Sequence, residues 1–233
     1  MKFEDKLIKG KLIKRYKRFL SDVELENGEI VVAHCANSGS MLSVKDEGAT
    51  VWLSPSNNPK RKLKFTWEII EKDGFNVGIN TGLPNKIVEE AILADQIPEL
   101  LGYDSLRREV KYGVNSRIDV LLEDASKPKC YVEVKSVTLR RGENADFPDS
   151  VTTRGAKHLR ELGDMVEEGH RSVMFYLVQR ADCKVMDIAR DIDPTYDAEL
   201  KNALKRGVEV VCYQCDVGLD GITVTRPVPV AFL

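Results

Sequence analysis

The fold is decided in two neighbouring stretches, 117-RIDVLLE-123 and 131-YVEVKSV-137. Both are strand-forming runs broken by ionisable residues: Asp119 in the first, Glu133 and Lys135 in the second. Successive side chains of a strand point to opposite faces, so Glu133 and Lys135 share a face while Val132 and Val134 point into an apolar layer. Charge at such positions needs a partner or a ligand. Two carboxylates and an ammonium from adjacent strands outline a divalent-metal phosphodiesterase site; the plainer alternative is an ion pair on a strand face. Acidic residues also stand two before a lysine at Glu4-Lys6, Glu109-Lys111, Asp182-Lys184 and Glu199-Lys201, so the β-rich setting distinguishes Glu133-Lys135, not the spacing alone.

Working outward, 85-NKIVEEAILADQ-96 has a helical apolar stripe (Ile87, Val88, Ala91, Ile92) that Asn85 is placed to cap. Strands are expected at 108–112, 117–123 and 131–137, followed by a helix near 152–168 and a strand at 172–179. Asp149 or Ser150 is the expected cap of that second helix. A helix at about 194–206, with Pro194 in its first turn and Gly207 after its last, precedes strand GVEVVCY and a closing strand near 222–226.

Residues 1–84 read differently. Asn27-Gly28, the polar 54-SPSNNP-59 loop and Asp73-Gly74 are hairpin punctuation between β-like runs at 11–25, 29–35, 49–54, 61–72 and 75–80. Five strands without a helix suit a small closed barrel of the OB type. The regime changes at 81-TGLPN-85, which places a boundary between domains 1–84 and 85–233. The expectation is a two-domain α+β/α/β chain: an N-terminal five-stranded OB-type β-barrel, then an αβββαβ core.

That order of elements resembles the core of the PD-(D/E)xK nuclease superfamily. The resemblance implies that Asp119 and Glu133 bind Mg²⁺ (or Mn²⁺), that Lys135 helps orient or activate the attacking water, and that a glutamate of the opening helix, matched here to Glu90, joins them. A hard divalent ion does prefer oxygen ligands completed by water and phosphate. More specifically, RYKRFL, HCANSGSM, VWLSPSNNPKRK, SRIDV, YVEVKSVTL and DFPDSVTTRGAKHLREL together resemble the sugar fermentation stimulation protein family of bacteria and archaea. The resemblance spans essentially the whole chain. It implies an OB-type domain fused to a PD-(D/E)xK nuclease-like domain, DNA binding, and a regulatory link to maltose metabolism.

The overall net charge of −2 conceals an asymmetry: residues 1–84 carry 14 Lys/Arg against 11 Asp/Glu, and the remainder is net acidic. The positive charge clusters at Lys14, Arg15, Lys17 and Arg18 and again at Lys60, Arg61, Lys62 and Lys64, interleaved with Tyr16, Phe19, Phe65 and Trp67. Charge beside aromatic faces suits nucleic acid, whereas burial of those aromatics in the barrel would leave only a solvated basic face. Arg117, two residues before Asp119, and Arg154, opening the later helix, are further candidates for phosphate, with a local salt bridge as the alternative for Arg117. His158 falls at the apolar border of its helix and reads as packing.

Five scattered cysteines give no disulfide framework, and Cys212–Cys215 lacks a second ligand pair for zinc. No apolar run approaches the roughly 18 residues needed to span a bilayer, and the charged N-terminus has no signal-peptide core. These features read as a cytoplasmic protein without a membrane partner. The expected function is DNA binding, without strong sequence specificity, by a protein with a Mg²⁺-dependent nuclease site. The alternatives are a non-catalytic DNA-binding regulator and a site for a small phosphorylated metabolite.

Overall fold

The first β-like run, 11–25, is two strands. In the computed structural model, which describes all residues Met1–Leu233, β1 (Ile8–Tyr16) turns back through Lys17, Arg18 and Phe19 into β2 (Leu20–Leu25). The turn escapes sequence reading because it lacks Gly or Asn: Lys17 and Arg18 themselves take positive φ, 47° and 63°. Left-handed backbone costs an ordinary residue of order 1 kcal/mol. At Gly28 and at Asp73-Gly74 the expected turn residues occupy that region.

The chain continues through β3 (Ile30–Cys35), β4 (Thr50–Pro55), β5 (Phe65–Lys72) and β6 (Phe75–Gly78). Antiparallel pairing in the order β3-β2-β1-β4-β5, closed by the parallel pair β3–β5, makes a five-stranded barrel, with β6 appended to β5. Leu12, Val23, Ala33, Val51, Leu53 and Trp67 fill its interior. Trp67 is therefore core, whereas Phe19 is exposed.

The second domain begins at α1 (Pro84–Leu93), passes a 3₁₀ turn, and builds a sheet from β7 (Ser105–Tyr112), β8 (Ser116–Asp124) and β9 (Lys127–Val137). A hairpin of β10 (Leu139–Arg141) and β11 (Asn144–Phe147) leads to α2 (Thr153–Glu167). There follow β12 (Arg171–Val178), β13 (Val185–Ile188), α3 (Pro194–Lys205), β14 (Glu209–Val217) and β15 (Ile222–Pro227). The main sheet runs β15-β14-β12-β9-β8-β7, parallel where β9, β12 and β14 meet. The small sheet β10-β11-β13 is an element the periodicity did not reveal, its strands being only three or four residues long.

One face of the main sheet packs against α1 and the other against α2 and α3. Cys215 lies in the first layer and Cys212 in the second, so the two thiols point apart. Asn85 does not cap α1: Leu83 holds the cap position and Pro84 the first turn. Thr152, rather than Asp149 or Ser150, caps α2 by accepting from the Gly155 N–H at 3.1 Å.

The two domains share apolar packing. Ile69 of β5 belongs to the layer beneath α1, with Trp52 against it, and the Gly78 N–H donates to the Gln179 carbonyl at 2.9 Å. Both tryptophans lie in the barrel and all three helices in the second domain, so tryptophan fluorescence and far-UV circular dichroism report different halves. Their urea transitions should coincide, and Ile69→Ala should lower both together by about 2–5 kcal/mol.

Candidate functional site

Beyond Val120 and Val132 the strands β8 and β9 stop pairing. Asp119 stands at that point, and its Oδ2 accepts the Val134 N–H at 2.8 Å, taking the place of a ladder carbonyl. On β7, the opposing Glu109 takes a positive φ of 54°, and the β7–β8 register skips past it. The β8–β9 separation opens a crevice. Val132 and Val134 enter the apolar layer under α1, while Glu133 and Lys135 face α2, as alternation requires.

Glu133 is 2 % exposed. Its Oε1 accepts from Lys135 Nζ at 2.6 Å and contacts His158 Nδ1. Arg154 Nε donates to His158 Nε2 at 3.2 Å; because Arg can only donate, Nε2 accepts, leaving Nδ1 to carry the proton toward Glu133. Glu133 Oε2, by contrast, is buried without any partner. Burial works to raise this carboxyl, but Lys135 and His158 outweigh it and hold Glu133 below the usual carboxylate range. Burial and the neighbouring Glu133 charge push Asp119 up to about 6, against the pull of Lys135, the Val134 N–H and Asn85.

These groups line a polar cavity of about 390 Å³ between the domains. Its walls include Asn37, Ser38 and Gly39 from the barrel, Asn85 at the start of α1, Ser136 and Thr138, and Asp149, Ser150, Thr152 and Arg154. The barrel loop is held from both directions. Arg15 donates to the carbonyls of Asn37 (2.8 Å) and Gly39 (3.0 Å), and Asp149 Oδ2 accepts the Met41 N–H at 2.8 Å. A side chain at Gly39 would have its Cβ 2.6 Å from the Asp149 carboxylate oxygens, so it would push that carboxylate away from its place on the loop.

Asp119, Glu133, Lys135 and Arg154 are thus brought together, and several other expected residues are not. Glu90 turns away, its carboxylate 2.8 Å from the Met1 amino group, and Glu89 pairs with Arg108. From α1 it is Asn85 that reaches the site, donating to Asp119 Oδ1 at 2.8 Å. Arg117 is exposed and reaches back to the Glu109 carbonyl outside the cavity. Arg15 supports the loop instead of presenting its charge, and Lys14 pairs with Asp22. Lys17, Arg18, Lys60, Lys62 and Lys64 are exposed, and Arg61 donates to Thr66 Oγ1 at 2.6 Å. His158, which reads as packing in the sequence, is a buried partner of Glu133; its i+4 spacing from Arg154 was the available signal.

No three His, Cys, Asp or Glu side chains converge into a ready-made cage. Four acidic side chains line the cavity: Asp146 pairs with Arg141 and Asp149 accepts the Met41 N–H, which leaves Asp119 and Glu133, the latter with an unpartnered buried oxygen, as the carboxylates available to a cation. That set fits Mg²⁺ or Mn²⁺, which bind through one or two carboxylates and keep the rest of their shell for water and phosphate.

Comparison with known proteins agrees with this architecture. Residues 13–79 match the family model described as the SfsA N-terminal OB domain, and residues 82–221 match the sugar fermentation stimulation protein RE domain. The chain belongs to the sugar fermentation stimulation protein family. A homolog from Paramagnetospirillum magneticum is 56 % identical over 97 % of this chain and 96 % of its own, and one from Rhodospirillum rubrum is 57 % identical over 98 % of each. The structure of Pyrococcus furiosus SfsA in complex with Ca²⁺ superposes with a TM-score of 0.90 at 28 % identity, covering 99 % of this chain and 97 % of that one. No helix is long and apolar enough to cross a membrane.

The raised Asp119 pKa has a measurable consequence without metal. The folded state keeps the Asp119 proton up to about pH 6 while the unfolded chain releases it near its ordinary value, 3.8. The folded form therefore binds more protons in that window, and stability falls as pH rises through it. Wild type should lose roughly 2–3 kcal/mol between pH 4 and pH 7 that Asp119→Asn does not lose, read from urea midpoints of the two proteins at each pH.

Proposed function

We propose that this protein binds DNA and hydrolyses its phosphodiester bonds in the interdomain cavity with the help of a divalent cation. The unpartnered Glu133 Oε2, buried beside Asp119 in a polar cavity, carries this reading. A buried carboxylate oxygen without a partner is costly, and a cation removes the cost. The Ca²⁺ in Pyrococcus furiosus SfsA supports cation binding here by similarity.

Asp119 and Glu133 would hold the ion, which supplies neutralisation of the charge developing on the phosphate oxygens. Lys135 Nζ, anchored on Glu133 Oε1, presents its remaining donors to the attacking water or to a phosphate oxygen. His158 locks the Glu133 rotamer, and Arg154 both fixes the His158 tautomer and offers its guanidinium to a phosphate. Asn85 holds Asp119 from the other side. The exposed lysines of the barrel supply attraction for the DNA backbone without sequence preference.

Incubation of labelled DNA with wild type, Asp119→Ala and Lys135→Ala in Mg²⁺, Mn²⁺ or EDTA tests both parts. The expected result is cation-dependent cleavage, reduced at least a hundredfold in each variant, with binding retained. Binding with no cleavage under any cation would make the protein a DNA-binding regulator on a nuclease scaffold.

A further inference from the structure

The barrel and the cavity are joined by a short stretch of chain, and an aromatic surface lies at its barrel end. Three loops gather at one end of the barrel: the 17–19 turn after β1, the 56–64 loop between β4 and β5, and the chain leaving β3 at Cys35. Their proximity follows from the pairing. The Cys35 N–H donates to the Phe19 carbonyl at 2.8 Å, and the β3–β5 register sets His34 beside Thr66 and Cys35 beside Trp67.

On this end the Phe19 ring, 46 % exposed, stacks on His34 with centroids 6.5 Å apart and an interplanar angle of 28°. Arg61 donates to the hydroxyl of Thr66, the residue that the β3–β5 register sets beside His34. Lys17 and Arg18 immediately precede Phe19 and are held at positive φ although neither is glycine. An exposed aromatic stack, with cationic residues in the turn that presents it and in the neighbouring loop, is a platform for an unpaired base.

The platform leads directly to the cavity wall. From His34 the chain reaches Ser38 in four residues, a span of at most about 14 Å, and Ser38 and Gly39 line the cavity together with Thr152 and Arg154. Arg15, on the strand that feeds the Phe19 turn, clamps this same loop through two carbonyls. Asp149 closes over Gly39 from the second domain, so the carboxylates lie at the bottom of a cleft walled by both domains. A cavity of about 390 Å³ is of the size that takes one small molecular group, not a double helix.

We infer that the substrate is single-stranded DNA, stacked on Phe19 and His34 of the barrel and led past Ser38 into the cavity, so that the bond hydrolysed lies a few nucleotides from the stacked base. This rests on the hydrolytic reading for the cutting step but not for the binding step. Base stacking demands unpaired bases, which a duplex does not offer, and it tolerates any sequence.

The test is fluorescence anisotropy of a fluorescein-labelled 20-mer of thymidine and of a 20-base-pair duplex at the same salt, in EDTA, with wild type, Phe19→Ala and Phe19→Trp. The same proteins are then assayed for cleavage of a duplex bearing a single-stranded tail, in Mn²⁺. We expect the single strand to bind at least tenfold more tightly than the duplex. Phe19→Ala should remove about tenfold of that affinity and Phe19→Trp should retain it, with cuts confined to the tail. Phe19 is exposed, so its replacement leaves the fold intact, and circular dichroism checks this. Equal binding of both DNAs, or an unchanged affinity in Phe19→Ala, overturns the inference; if Mn²⁺-dependent cutting persists in that case, the hydrolytic reading stands without it. Strand preference with no cutting has the opposite meaning: the platform is supported and the hydrolytic reading fails.

Discussion

A carboxylate buried in a protein must find partners for both its oxygens or a cation for its charge, and Glu133 has partners for only one. The surrounding architecture answers to that constraint. Strand β9 is central and parallel to β12, so its backbone is fixed on one side, while on the other β8 separates from it at Asp119. The separation leaves the Val134 N–H without a strand partner, and Asp119 provides the acceptor. One local irregularity therefore sets a second carboxylate near the first and opens the space between the strands.

The remainder of the site stabilises this pair of like charges. Lys135 and His158 hold Glu133 ionised, and the rise of Asp119 to about 6 is the residue of repulsion and burial that they do not offset. A cation would relieve both the repulsion and the cost of burial, which is why the arrangement suits a bound ion better than a structural ion pair. The barrel contributes to the same cavity through a loop clamped by Arg15 and Asp149, and shared packing at Ile69 keeps the domains in register.

Much of this was legible in the sequence because strand alternation has a strict period. Placing Glu133 and Lys135 on one face, with Val132 and Val134 opposite, needs nothing more than β-geometry, and the barrel followed from its turn residues. The failures share a cause. Asn85 was read as a helix cap and Glu90 as a ligand because local rules cannot say which helical residue a sheet edge will meet; the rotation of α1 aims Asn85 at Asp119 and Glu90 at the Met1 amino group. Arg15 looked like its basic neighbours until the fold turned it onto two carbonyls, and the Lys17-Arg18 turn carries no glycine to announce it. The 37–41 loop and Asp149 come together from positions more than a hundred residues apart, a contact that no periodicity encodes.

The hydrolytic reading rests on Asp119 and Glu133 holding a divalent cation. Anomalous diffraction from crystals soaked in Mn²⁺ addresses it without reference to activity or to DNA. The account predicts an anomalous peak within bonding distance of an Asp119 oxygen and of Glu133 Oε2, about 2.0–2.4 Å from each. A peak elsewhere, or none at a manganese concentration that saturates other carboxylate sites, would contradict it.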